Sequence, residues 1–183
     1  GEILTPSVTA LLQTGNTLLV SGKTGTIGYN VSIPEKPVQI WIFGDKQYWL
    51  QAVWGPTYVL AGPDPDYEPG QPFSLMIYVE EAPAQWTLAA TAESPCFYEQ
   101  GGMALVGEVL AVSCPSETHF YQWHAAEQLI KPLGTYVHET DWGIPEQFAA
   151  LSSDLMLVRA GHGIEVLRIS TWPPELIWNG YYD

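Results

Sequence analysis

The sequence predicts an all-β chain, an antiparallel β-sandwich or single jelly roll with one short helix. Three observations lead there. Short runs are rich in β-branched and aromatic residues, Gly, Pro, Asn or Asp punctuates their ends, and only one brief segment has a helical pattern.

Taken in order, strands are expected at 17–20, 26–32, 38–43 and 47–58. Gly22-Lys23-Thr24-Gly25 and Gly44-Asp45 read as tight reversals between antiparallel neighbours. Beyond the proline-rich loop 63–72 come runs at 73–79, 85–91, 103–113, 118–123 and 135–138. A last hairpin pairs 155–159 with 164–169 across Ala160-Gly161-His162-Gly163. The one helix is placed over 145–152, with Pro145 in its first turn and Phe148, Ala149 and Leu151 facing inward. That gives roughly nine to eleven strands, the density of a sandwich, jelly roll or barrel. No repeat of roughly 20–50 residues is visible, which argues against a propeller or solenoid.

Alternation assigns faces. Val38 to Phe43 is apolar on both sides, as in a strand covered twice, and Met103 to Ser113 is interrupted only by Glu108. In Thr118 to His124, His119, Tyr121 and Trp123 share one face, and Phe120, Gln122 and His124 the other. The expected core includes Ile40, Ile42, Leu105, Val109 and Val166.

At 183 residues the chain is long enough for one domain, 1–183, with a real core. Only 14% of residues are charged, and 20 acids against 6 bases give a net charge of −14. The bases (Lys23, Lys36, Lys46, Lys131, Arg159, Arg168) form no cluster in the sequence, so nucleic acid is not an expected partner. No run approaches the ~20 apolar residues of a membrane span, so direct membrane insertion is not expected, and residues 2–12 do not read as a signal peptide. Cys96 and Cys114 fit either one disulfide or two buried thiols.

Candidate chemistry is thin. Ser21-Gly22-Lys23-Thr24-Gly25-Thr26 has the letters of a phosphate loop without its spacing or following helix, and reads as a hairpin. Asp64, Asp66 and Glu68 alternate in a loop and could serve Ca²⁺, although no helix-loop-helix pattern surrounds them. His119 and His124 fall on opposite faces of one strand and cannot chelate zinc together, while His138 and His162 stand alone. The acid pairs Glu80-Glu81 and Glu139 with Asp141 carry no weight for glycoside chemistry in so acidic a chain. No Gly-x-Ser-x-Gly elbow occurs. No catalytic residue, metal or cofactor is expected.

The aromatic excess is more informative: 8 Trp, 10 Tyr and 5 Phe. An apolar N-terminal segment, 1–14, and an aromatic C-terminal arm, 171–183, flank the centre. Disordered tails are polar and poor in aromatics, so both segments should dock. In the arm, Trp172, Leu176, Ile177, Trp178, Tyr181 and Tyr182 are the expected interface, crossing to a neighbouring copy as an extended strand.

With the strand series 38–58 and 103–123 and this arm, the chain resembles the small single-jelly-roll major capsid proteins of tailless, membrane-containing icosahedral phages. The resemblance implies a self-assembling virion shell protein, with itself and a second structural protein as partners and no catalytic residues. The alternative is an extracellular carbohydrate-binding sandwich whose exposed Trp and Tyr stack on sugars.

Overall fold

β-Branched and aromatic runs do become strands, but they divide more finely than composition suggests. The computed structural model describes residues 8–22, 25–43, 50–54, 56–62, 74–82, 85–94, 102–114, 116–138 and 145–181. Among these there are sixteen strands and no helix. The first four are β1 (Val8–Thr14), β2 (Thr17–Gly22), β3 (Gly25–Asn30) and β4 (Val38–Phe43). Next come β5 (Leu50–Trp54), β6 (Thr57–Gly62), β7 (Ser74–Ala82) and β8 (Gln85–Glu93). Then follow β9 (Met103–Val106), β10 (Val109–Cys114), β11 (Glu117–His124) and β12 (Leu129–Val137). The last are β13 (Pro145–Ala150), β14 (Leu155–Ala160), β15 (Gly163–Arg168) and β16 (Glu175–Tyr181).

Each consecutive group of four forms its own antiparallel sheet, ordered β1-β2-β3-β4, β5-β6-β7-β8, β9-β10-β11-β12 and β13-β14-β15-β16. The first strand of each sheet packs on the first strand of the next: β1 on β5, β5 on β9, and β9 on β13. Four separate meanders stacked face to face around their inner strands are the blades of a β-propeller. We number them blades 1 to 4. This corrects the expectation of a sandwich or jelly roll, in which strands from distant parts of the chain would share two large sheets.

Two long apolar runs misled the reading. The run expected as one strand over 47–58 reverses between Trp54 and Thr57, which pair as the end of the β5–β6 hairpin. The run 103–113 folds back at Gly107-Glu108, so that Val106 faces Val109. Gly107 has φ 61°, in the left-handed region that glycine enters without a Cβ penalty. Glu108 is therefore a turn residue, not an interruption of a strand. The expected helix over 145–152 is strand β13 through residue 150, held in register with β14 by Phe148↔Val158 and Ala149↔Leu157. Its helical look was a short apolar pattern that tertiary pairing overrode.

The turn readings at two hairpins match the structure. Ser21 pairs with Thr26 and Gly22 with Gly25, so the phosphate-loop lookalike is the β2–β3 hairpin. The Ser21 and Thr26 hydroxyls satisfy each other at 2.7 Å in the interior. Ala160 pairs with Gly163 around Gly161, which has φ 54°.

The core lies between blades. Leu19 of blade 1 meets Tyr58 and Met76 of blade 2. Val59, Leu75 and Ile77 of blade 2 meet Leu110, Val112 and Trp123 of blade 3. The other face of blade 3, with Val106, Ala111 and Phe120, meets Met156, Val158 and Leu167 of blade 4. Tyr121 and Trp123 thus turn one way and Phe120 the other, as alternation along β11 requires. Of the expected core residues, Leu105 is buried, while Ile40, Val109 and Val166 are only half-buried. The Ile42 side chain lies outside the described residues.

Two outcomes follow from this packing. Phe120→Ala empties a fully buried ring site between blades 3 and 4 and should cost ~3–5 kcal/mol in chemical denaturation. Burial raises the Tyr121 hydroxyl from its ordinary value of 10 to about 12. The unfolded chain ionises first, so the contribution is intact below pH 10 and is lost as pH rises towards 12. Stability measured across that window should fall less steeply in Tyr121→Phe.

Candidate functional site

Blade 4 has one covered face and one open face. Along β14 and β15 burial alternates strictly: Met156, Val158, Ala160, Glu165 and Leu167 turn towards blade 3 and are buried. Leu155, Leu157, Arg159, Ile164, Val166 and Arg168 turn the other way and are half-buried. Leu157 pairs with Val166, Arg159 with Ile164, and Leu155 with Arg168, so they form one continuous face. Trp178 of β16 extends it beside Val166, and Gly180 beside Ile164.

Gly180 matters here. A Cβ at that position would lie 2.4 Å from Cη2 and 2.6 Å from Cζ2 of Trp178, so the indole occupies the space above the glycine. The ring lies along the strand and is 53% exposed. At the margin, Arg168 donates to Glu175 at 2.6 Å. The open face borders a hollow of about 550 Å³ lined by Leu11 and Leu12 of β1, Met103 of β9, and Ala149, Leu157 and Ile164 of blade 4. Where blades 1, 2, 3 and 4 meet in sequence there is packed core; between β13 and β1 there is this hollow.

The expected C-terminal interface divides. Trp172 is half-buried and meets Phe120 edge-on at 5.4 Å, and Leu176 packs on the blade 3–4 core. Ile177, Trp178 and Tyr181 are exposed, at 41%, 53% and 70%. Tyr182 lies outside the described residues. The arm is strand β16, paired with β15 of its own blade along Gly163↔Tyr181 to Arg168↔Glu175. Likewise the N-terminal segment supplies β1, the inner strand of blade 1. The half-buried face of β14 and β15 was missed by the sequence reading. Its signal was present in Leu155-x-Leu157-x-Arg159 and Ile164-x-Val166-x-Arg168, two strands with the same apolar, apolar, arginine alternation.

A second polar constellation joins blades 3 and 4. Nδ1 of His138, just after β12, is hydrogen-bonded to Oε2 of Glu165 on β15 at 2.5 Å. Nε2 of His138 lies 2.9 Å from Oγ1 of Thr118 on β11. Tyr136 packs edge-on against the imidazole with centroids 5.1 Å apart. Hydroxyl, imidazole and carboxylate stand in the order of an acyl-transfer triad, but His138 and Glu165 side chains are each 1% exposed. Both groups are closed off from solvent, and the pair joins blade 3 to blade 4. Glu165 Oε1 is buried and has no hydrogen-bond partner among the described residues.

Other expected sites resolve as follows. Cys114 is disulfide-bonded, and Cys96 is the chain's other cysteine. The Cys114 sulfur therefore cannot act as a thiolate ligand beside Glu117 and His119, although these three groups lie within 4.8 Å of one another. His119 instead pairs with Glu117 at 2.6 Å. Glu80 and Glu81 line a hollow of about 500 Å³ with Thr14, Asn16, Thr17 and Asn30, between blades 1 and 2. Asp64, Asp66, Glu68, Glu139 and Asp141 lie outside the described residues.

No family model and no curated protein matches the chain. Among solved structures, a functionally unknown protein from Desulfotomaculum acetoxidans aligns with a TM-score of 0.70 at 12% identity, over 94% of this chain and 56% of its own. A protein from Lactobacillus plantarum aligns with a TM-score of 0.68 at 14% identity, over 98% and 57%. The computationally designed Ika8 protein aligns with a TM-score of 0.66 at 13% identity, over 94% and 48%. The likeness is one of fold. The chain spans about half the length of these proteins.

The blade 3–4 pin gives a clear expectation. Glu165→Ala strands the buried imidazole and should cost ~3–5 kcal/mol, whereas the double change His138→Leu with Glu165→Leu should cost much less. A double-mutant cycle by urea denaturation measures the difference.

Proposed function

We propose that the protein is a non-catalytic structural subunit that works by associating with copies of itself. The observation that supports this is the open face of blade 4. There Leu155, Leu157, Ile164 and Val166 are half-buried, beside a hollow of about 550 Å³ and with Trp178 at the margin. Contiguous apolar surface of this kind marks contact sites, because leaving it wet forfeits ~25 cal/mol per Å². The buried Thr118–His138–Glu165 set, inaccessible to substrate, fits a protein whose polar groups serve structure. The shell-protein part of the earlier expectation took its footing from the jelly roll and is not carried forward.

The outcome to expect is a mass above that of one chain, 20.2 kDa, rising with concentration in light scattering. A strictly monomeric protein at every concentration would defeat the proposal. One observation favours the carbohydrate-binding alternative, the Trp178 indole laid over Gly180 with an exposed face. Quenching of tryptophan fluorescence by neutral oligosaccharides in a monomeric protein, abolished in Trp178→Ala, would put that reading first.

A further inference from the structure

We infer that the hollow between blades 4 and 1 is a binding site for a small apolar carboxylate, whose hydrocarbon part lies among Leu157, Leu11 and Leu12 and whose carboxylate meets Arg159. This goes beyond self-association and does not rest on it, because Leu155, Val166 and Trp178 of the same face are not among the residues lining the hollow.

The seams of the propeller differ in what fills them. Blades 1 and 2, 2 and 3, and 3 and 4 each meet in a cluster of buried apolar side chains. Between blades 4 and 1, which both supply wall residues, the described residues leave a hollow of about 550 Å³. Val20, beside Leu11 in register, is only 1% exposed, so this side of blade 1 is already covered farther out. Leu11 itself is 60% exposed, and solvent reaches the hollow along it. Leu12 and Met103, from the inner strands of blades 1 and 3, extend the apolar wall. Sites for small molecules are hollows of roughly 300–1,000 Å³ with mostly apolar linings, and this one falls in that class. Loosely held water in such a space is favourably displaced by an apolar body that gains contact with the walls.

Register sets the chemistry of the blade 4 wall. Gln147, Arg159 and Ile164 form one row across β13, β14 and β15, and Ala149, Leu157 and Val166 form the next row on the same face, ~7 Å away. One row therefore carries a guanidinium and a carboxamide, and the other is apolar throughout. Gln147 and Arg159 both line the hollow. Apolar walls with a few polar groups at one end orient a ligand that is itself apolar at one end and polar at the other. The ionic group here is a cation, so the complementary head is an anion. A guanidinium presents five N–H donors in a planar fork and meets a carboxylate through two parallel bonds, so it holds a ligand carboxylate besides its contacts within the chain. A wholly apolar ligand would set that guanidinium against hydrocarbon, and an inorganic anion would leave the leucines wet. The net charge of −14 opposes an anion only at a distance, because salt screens it within ~8 Å, and at contact range Arg159 decides.

The test titrates decanoate and decan-1-ol, which share an alkyl chain and differ in charge, into the native chain by calorimetry. The expected result is saturable binding of decanoate, a melting temperature that rises with its concentration, and binding of decan-1-ol weaker by roughly tenfold or more. Arg159→Gln should lower decanoate affinity to that of decan-1-ol and leave decan-1-ol unchanged, and Arg159→Lys should recover part of the loss. Ala149→Phe places a ring in the hollow from an exposed position, so it should keep the native circular dichroism and abolish binding of both probes. Tyr181→Ser, away from the hollow, should bind as the native chain does. A native chain that takes up no decanoate, or holds both probes equally, overturns the inference. Undiminished binding in Ala149→Phe places the ligand elsewhere and overturns it as well. If Arg159→Gln does not fold, the ratio of the two probes in the native chain and the Ala149→Phe result decide. Light scattering on the same samples reads self-association separately: a monomer that binds decanoate upholds this site and defeats the proposal above, and an oligomer that binds none does the reverse.

Discussion

The structure depends on blade-on-blade packing, because no four-stranded sheet here could stand by itself. A small sheet with an apolar face needs a partner, and these sheets have two such faces. Blade 3 makes the point: Trp123 enters the core shared with blade 2, and Phe120, three residues earlier on β11, enters the core shared with blade 4. The His138–Glu165 bond, the disulfide at Cys114 and the edge contact of Trp172 with Phe120 are all additions to that frame.

Much of the local structure was legible. Gly22 to Gly25 and Ala160 to Gly163 announced hairpins through turn chemistry, and β11 revealed its two faces through strict alternation. Two-sided burial within the run 103–113 was also visible, at Leu105, Val106 and Leu110 to Val112, whereas Val38, expected in a strand covered twice, is 60% exposed on the edge strand β4. Its interpretation failed for a physical reason. A sandwich covers each sheet once, whereas runs apolar on both faces are what a propeller blade requires. The repeat stayed hidden because the inner strands begin at Val8, Leu50, Met103 and Pro145, at unequal spacings of 42, 53 and 42 residues. No shared signature residue marks these positions.

The candidate site was half legible for a related reason. Trp178 and Tyr181 stood out by residue type, and their exposure agrees with that attention. Leu155, Leu157, Ile164 and Val166 did not stand out, because an apolar strand residue looks the same whether its neighbour is present or missing. Only the paired register of β14 and β15 separates the covered face from the open one. The Thr118–His138–Glu165 pin was invisible for the opposite reason: its members are 20 and 27 residues apart and meet only through tertiary structure.

The strand order has a kinetic side. Every described pairing joins strands adjacent in sequence, and no strand inserts between two others formed earlier. Each sheet can therefore zip from its own hairpins with short loop closures, which is fast for β structure. The barrier then falls on docking one finished blade against the next, as in repeat proteins with nearest-neighbour coupling. Amide exchange should see cooperative units that coincide with blades, and blades 2 and 3, each gripped on both sides, should be the last to open.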